Sequence, residues 1–249
     1  MGIRIKRVAV LGAGVMGQGI AAHLANAGIP SYLFDIAPGE LTADEQKKGL
    51  TLESRAVRNR IADAGVAAMI KASPALLYRS DLASLVTACN YVDDMALIGE
   101  CDWIVEVVVE RLDIKQRVFA DVEKYRKPGS IVSSNTSGLS VAAMAEGRSE
   151  DFRRHFMVTH FFNPVRYMRL LEMIPATETD PALFADGERW PGPVEVTRKT
   201  EQGIGLVWRL ARGGVPMYAR ALSVDEVERR IRTCWHPYHE AVARALDEP

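Results

Sequence analysis

The chain has 249 residues, 48% apolar and 25% charged, with a formal net charge of -1. That is an ordinary globular balance with room for one large domain or two modest ones. It gives no broad electrostatic basis for binding nucleic acid or a membrane surface. No apolar stretch is long enough to span a bilayer, and Cys89, Cys101 and Cys234 are too few and too widely spaced for a disulfide framework or a zinc pattern. Reduced thiols and a cytoplasmic setting are therefore expected.

Arg4, Lys6 and Arg7 precede an apolar run, as in a signal peptide. The run is broken by glycines and continues at helical spacing, so it reads as a first strand, Val8–Leu11. Gly12, Gly14 and Gly17 follow at once as G-x-G-x-x-G. Gly12 permits the tight turn, Gly14 lets the backbone approach a pyrophosphate, and Gly17 lets helix and strand pack closely. Ile20, Ala21, Leu24 and Ala25 give the helix its buried face, and Gly28 ends it. A second strand, Tyr32–Phe34, closes on Asp35, about 18 residues past Gly17 and near the spacing of the acid that bonds a ribose diol. A carboxylate there repels a 2′-phosphate, so the cofactor reads as NAD rather than NADP. The strand-turn-helix-strand context predicts an α/β fold with a Rossmann-type doubly wound sheet.

From Leu41 to about Tyr78 the chain is polar and helix-forming, predicting a helical insertion after the second strand. Thr42 and Glu45 fit a capping box. Leu52, Ala56, Val57, Ile61 and Ala64 form an apolar stripe, with Gly65 and Pro74 as punctuation. Lys47, Lys48, Arg55, Arg58 and Arg60 read as a solvated face that could also meet a phosphorylated ligand. Asp102–Glu110, D-W-I-V-E-V-V-V-E, reads as a buried parallel strand. Asp113 is placed to cap the next helix, whose core face reads as Val118, Val122 and Tyr125, and Pro128-Gly129 ends it.

A strand from Ser130 runs into the polar cluster Ser133-Ser134-Asn135-Thr136-Ser137-Gly138, which suits turn chemistry or ligand binding equally. After a short helix near Val141–Ala145, the strand Met157–Thr159 ends at His160. Glu172 lies among Leu171, Met173 and Ile174, where a carboxylate is costly unless paired. His160, at a neighbouring strand end, is its natural partner.

Together these motifs resemble the NAD-binding domain of the L-3-hydroxyacyl-CoA dehydrogenases. The likeness runs from about Arg7 to about Pro175: G-A-G-V-M-G, Asp35, Glu106 through Glu110 and Lys115, S-N-T-S, H-F-F-N-P and Glu172. The segment T-L-E-S-R-A-V resembles a branch fused to an enoyl-CoA hydratase unit. The resemblance implies oxidation of a (S)-3-hydroxyacyl-CoA to the 3-oxoacyl-CoA in fatty-acid β-oxidation. It casts His160 as the general base, Glu172 as the acid that orients it, and Ser137 as a hydrogen-bonding partner of the substrate oxygen. Glu110, Lys115 and Asn163 join Gly12, Gly14, Gly17 and Asp35 as cofactor-binding positions, with no metal. The implied partners are an acyl-CoA substrate and either a homodimer mate or the rest of a multifunctional β-oxidation protein.

Past about Thr179 the sequence leaves that pattern. Asp180-Pro181 reads as a helix start, with Ala182–Trp190 as the helix. The expected division is a dinucleotide-binding domain over 1–190 and a divergent, short helical tail over 191–249. The family's all-helical domain contributes an Asn to substrate binding, and no Asn follows Asn163. Ser223 to Glu226 fits a capping box, and Val227, Ile231 and Cys234 a helix face. R-G-G-V-P-M-Y-A and H-E-A-V-A-R-A-L-D-E are faintly similar to helical domains of the fused enzymes. These features suggest a truncation, deletion or frameshift in a longer protein. His236 and His239 near Cys234 make a weak metal pattern, better read as a surface helix junction. Two other functions compete with the first: a different β-hydroxyacid dehydrogenase, which would use a lysine as acid/base, and a nucleotide-binding remnant without catalysis.

Overall fold

The computed structural model describes residues 5–168, 170–180, 182–185 and 195–197. The strands are β1 Val8–Leu11, β2 Ser31–Asp35, β3 Val86–Asn90, β4 Trp103–Glu106, β5 Ile131–Ser134, β6 Phe156–Phe161, β7 Leu170–Pro175 and β8 Glu195–Thr197. The helices are α1 Val15–Asn26, α2 Ala43–Lys47, α3 Arg55–Arg58, α4 Arg60–Lys71, α5 Leu112–Tyr125, α6 Val141–Ala145, α7 Glu150–Arg154 and α8 Ala182–Ala185. The strands form one sheet in the order β3-β2-β1-β4-β5-β6-β7-β8. Pairing is parallel from β3 to β6, β7 runs antiparallel to β6, and β8 is parallel to β7. The order reverses on either side of β1, and the crevice at the strands' C-terminal ends there is where open α/β sheets bind ligands.

Successive residues of a strand face opposite sides of the sheet, so two cores form. Val8 and Val10 pack with Ile20 and Leu24 of α1 and Met69 of α4 on one side. Ala9 and Leu11 pack with Phe119 and Val122 of α5 and Phe152 of α7 on the other. The predicted face of α1 is buried throughout, and Gly28 follows it at φ +76.

Several local expectations need correction. The insertion is three helices, and the capping box of α2 forms as expected between Thr42 and Glu45. The buried face of α4, however, is Ala62, Gly65 and Met69. Of the expected stripe Val57 is buried and Ile61 half-buried, while Leu52, Ala56 and Ala64 are exposed, because α4 turns the face that carries Gly65 toward Ala13 and Leu33. Gly65 lies inside α4 rather than ending a helix. Lys47, Lys48 and Arg55 are exposed as expected, while Arg58 and Arg60 are half-buried; all three arginines are paired, Arg55 with Asp94 at 3.0 Å, Arg58 with Asp93 at 2.5 Å, and Arg60 with Glu45. Strand β4 stops at Glu106, where the chain turns over the sheet edge. Asp113 sits within the first turn of α5 and bonds Arg111, which occupies the cap position. Phe119, not Tyr125, fills the core beside Val122, and Tyr125 is 45% exposed. Asp180 accepts from the Ala182 N–H at the start of α8. The rest of the expected 182–190 helix, the 223–234 helix and the His236–His239 pattern lie outside the described residues.

Candidate active site

The site is assembled where β1, β4, β5 and β6 end. Gly12, leaving β1, has φ +122, and a Cβ there would lie 2.7 Å from the Val107 carbonyl. A Cβ on Gly17 would fall 1.7 Å from the Gly12 carbonyl, so the α1–β1 approach requires glycine. At Gly14 a Cβ would meet nothing within 4 Å, so the loop faces open space there. Helix α1 begins at Gly14 with no side-chain cap and no acid in its first turn. Its amide-rich positive end is thus left for an external anion. Asp35 Oδ2 accepts from the Ala13 N–H at 2.7 Å and Oδ1 from its neighbour Ile36 at 2.7 Å. A carboxylate has about four lone-pair sites, so each oxygen retains capacity for a hydroxyl. Ile36, 60% exposed beside it, offers an apolar platform. These features fit a dinucleotide.

A cavity of about 400 Å³ opens at the other end of the crevice. It brings together Glu110, Lys115, Ser137, His160 and Asn163, along with Met16, Asn135 and Phe162. Glu172 stands behind the cavity wall. The β6–β7 register sets His160 opposite Glu172, and His160 Nδ1 lies 2.9 Å from Glu172 Oε2. An Nδ1–H donating to that carboxylate leaves Nε2 as an acceptor. Phe162 packs on the imidazole, ring centres 4.5 Å apart.

Below the cavity lies a buried ionic network. Lys115 Nζ reaches Glu106 Oε1 at 2.7 Å and Oε2 at 3.0 Å, and Glu110 at 3.2 Å. Ser134 Oγ donates to Glu106 at 2.5 Å, and the Val108 N–H at 2.7 Å. Burial pushes the Glu106 carboxyl up, partly countered by the Lys115 ammonium. Burial also raises Glu110, but the Thr136 hydroxyl, the Lys115 ammonium and the Ser137 amide outweigh it and hold that carboxyl below its ordinary range. Glu110 accepts from Thr136 and from the Ser137 N–H, pinning the S-N-T-S loop. Asn135 ties the same loop to β6 by accepting from the Phe161 N–H at 2.8 Å.

Sequence reading did not single out Met16, Phe162 or the bracing role of Asn135. Asn135 and Thr136 belonged to a polar cluster whose turn and ligand readings were equal. Phe162 and Met16 carried no signal of their own, because an apolar residue beside a motif is ordinary.

The fold and the crevice define a dinucleotide-binding α/β domain with a histidine–carboxylate pair beside a cavity at the strands' C-terminal ends. The chain belongs to the family described as the NAD binding domain of 3-hydroxyacyl-CoA dehydrogenase, whose family model matches residues 7–191. A second model, N-formylglutamate amidohydrolase, matches residues 140–249. This second match overlaps the first over residues 140–191 and continues through the tail. Over 199 residues the chain is 54% identical to a protein named as a 3-hydroxyacyl-CoA dehydrogenase in Bacillus subtilis, covering 78% of this chain and 25% of that protein. Over 170 residues it is 36% identical to a Rickettsia felis protein named as a fatty acid oxidation complex trifunctional enzyme, covering 68% of this chain and 22% of that one. It is similar in structure to FadB2 of M. tuberculosis, with 28% identity and a TM-score of 0.60 over 81% of this chain and 66% of the other. The chain spans about a quarter of the length of these two sequence relatives.

Proposed function

We propose that the chain carries out, or contributes the cofactor-binding half of, the NAD-dependent oxidation of a (S)-3-hydroxyacyl-CoA in β-oxidation. The observation that carries this reading is the His160–Glu172 pair at 2.9 Å, with His160 lining a cavity that Met16 of α1 also borders. Gly12, Gly14, Gly17 and the start of α1 would take the pyrophosphate and Asp35 the adenosine ribose. Glu110, Lys115 and Asn163 would border the nicotinamide half, with Lys115 acting through Glu110 because it is itself only 1% exposed. When bound, NAD supplies the hydride acceptor. His160 Nε2 takes the proton of the 3-hydroxyl, Glu172 holds the ring and steadies its charged form, and the exposed Ser137 hydroxyl bonds the substrate oxygen.

Residues 1–190 would form the dinucleotide-binding unit and 191–249 a separate one, a division supported by the family match ending at 191. An acyl-CoA is the substrate class. The trifunctional relative supports a place in a multifunctional protein, with a homodimer as the other arrangement. Cys89 and Cys101, buried and unpaired, fit a reducing compartment such as the cytoplasm.

A second reading is cofactor binding without turnover. It is favoured by the absence of any Asn after Asn163 and by the tail's match to a different family. The deciding experiment is NADH oxidation with acetoacetyl-CoA by the chain and by His160→Gln, alongside NADH titration of both. Turnover that disappears in the variant while NADH binding persists supports the dehydrogenase. NADH binding without turnover in the parent selects the second reading, and no NADH binding refutes both.

A further inference from the structure

Ala13, between the first two fingerprint glycines, is held from three directions. Its N–H donates to Asp35 at 2.7 Å, and its carbonyl accepts from the Gln18 side-chain amide at 2.8 Å. From the third side α4 presses on it at Gly65, where a Cβ would lie 2.8 Å from Ala13 Cβ and 2.9 Å from Ala13 O. Ala13 is 4% exposed although it sits in a surface loop. Only the Asp35 contact belongs to the expected cofactor machinery. Gln18 reaches back from the first turn of α1, and Gly65 comes from the insertion after β2.

The peptide between Ala13 and Gly14 is planar and trans, so its C=O and N–H point in opposite directions. A carbonyl tied inward by Gln18 therefore turns the Gly14 N–H outward. No hydrogen bond occupies that N–H among the described residues. Gly14 is also the cap of α1, so its N–H lies where an anion meets the helix start.

We propose that Gln18 and Gly65 are positioning residues: they lock the Ala13–Gly14 peptide so that the loop is already shaped for a pyrophosphate before one binds. On this view the insertion serves the nucleotide through α4, by bracing the loop from behind, rather than by offering its arginines to a phosphate. Those arginines are engaged with Asp94, Asp93 and Glu45. The inference rests on the reading of this crevice as the cofactor site.

The test uses the full chain and two variants, Gln18→Met and Gly65→Ala. Gln18→Met keeps length and removes the donor. Gly65→Ala adds one methyl, which by helix propensity alone favours α4. Three quantities are measured: hydrogen exchange in peptides spanning residues 8–20, the melting temperature, and the dissociation constants for NADH and adenosine. Faster loop exchange is expected in both variants, with a rise of about 3- to 10-fold in the NADH constant, the scale of one lost hydrogen bond. Adenosine, which has no phosphate, should bind as in the parent; Gln18→Met should melt within about two degrees of the parent, and Gly65→Ala lower by several degrees, the scale of one overpacked methyl.

Unchanged loop exchange in both variants overturns the brace. Faster exchange with unchanged NADH affinity overturns its role in cofactor binding. Equal losses for NADH and adenosine mean general damage and also overturn it. A parent that binds no NADH refutes the cofactor reading, while the exchange measurement still judges the brace.

Discussion

Replacing Lys115 by Met should be among the most damaging single changes in the domain, although it leaves the hydrophobic cores intact. The Lys115 side chain is 1% exposed and that of Glu106 is 0% exposed, with the charged atoms 2.7 Å apart. Removing the ammonium strands a carboxylate beneath the sheet's C-terminal edge. Breaking a buried pair in this way costs about 3–5 kcal/mol, or roughly 6–20 °C in Tm for a domain of this size. Glu110 suffers less, because Thr136 and Ser137 still bond it. The companion Lys115→Met/Glu106→Gln should recover most of the loss, since replacing both members of a buried pair is close to neutral.

The pH dependence carries a sign. Burial already raises the Glu106 carboxyl, and loss of the cation raises it further. A raised folded pKa gives stability that is fully present below the unfolded value and lost as pH rises through the folded one. The gap between Lys115→Met and the parent should therefore narrow from pH 7 to pH 5. Thermal melts of the parent, both singles and the double across that range provide the assay. A single-variant cost under about 1 kcal/mol, or a double no more stable than Lys115→Met, would refute the argument.

Glu172→Gln should lower turnover by about 10²-fold or more, the scale of general-base assistance, while the NADH dissociation constant stays within about twofold; the assay is steady-state oxidation of NADH with acetoacetyl-CoA beside a fluorescence titration. Gly17→Ala should abolish NADH binding and destabilise the chain, because its methyl falls 1.7 Å from the Gly12 carbonyl; a titration and a melt close to those of the parent would contradict it. Acid should weaken the fold through Asp102 and Glu110. Burial raises both carboxyls, but Lys127 and the Lys6 and Arg7 amides hold Asp102 low, and Thr136 and Lys115 hold Glu110 low. A depressed folded pKa gives stability present above the unfolded value and lost as pH falls through the folded one. Tm should accordingly drop once pH passes below the ordinary values of 3.8 and 4.5, and a flat Tm down to pH 3 would count against it.

The β1-α1-β2 unit was legible because its determinants are local: a four-residue apolar run, glycines at fixed spacing and an acid at the next strand's end. His160 and Glu172 could be read as partners because a carboxylate among Leu171, Met173 and Ile174 demands one. Strand β3 escaped notice, since V-T-A-C-N alternates poorly and lies at the sheet's edge. The face of α4 was misread for a different reason. Its buried positions are Ala62, Gly65 and Met69, and close approach of helix to loop, rather than hydrophobicity, selects the middle one. The extent of β4 was overestimated because Val107, Val108 and Val109 have strand-forming side chains. Tertiary context overrides that propensity: the chain at Val107 passes close against Gly12, and the Glu106 carboxylate draws the Val108 N–H back on itself. Lys115 read as a cofactor contact, yet only three dimensions reveal how completely two carboxylates enclose it.

The antiparallel pairing of β6 with β7 has a consequence for how this chain tolerates insertion and deletion. His160 and Glu172 meet because they are register partners, and side chains alternate faces with every residue. A codon gained or lost inside either strand, between the pair and the turn, would part the two, carrying one of them and the strand residues beyond it to the opposite face of the sheet. The same change in the connection after Phe162 would leave the pair in place if the strands kept their alignment. The hairpin thus acts as a parity check on its own register: a length change is forgiven or ruinous according to where it falls, and composition alone would not tell the two cases apart.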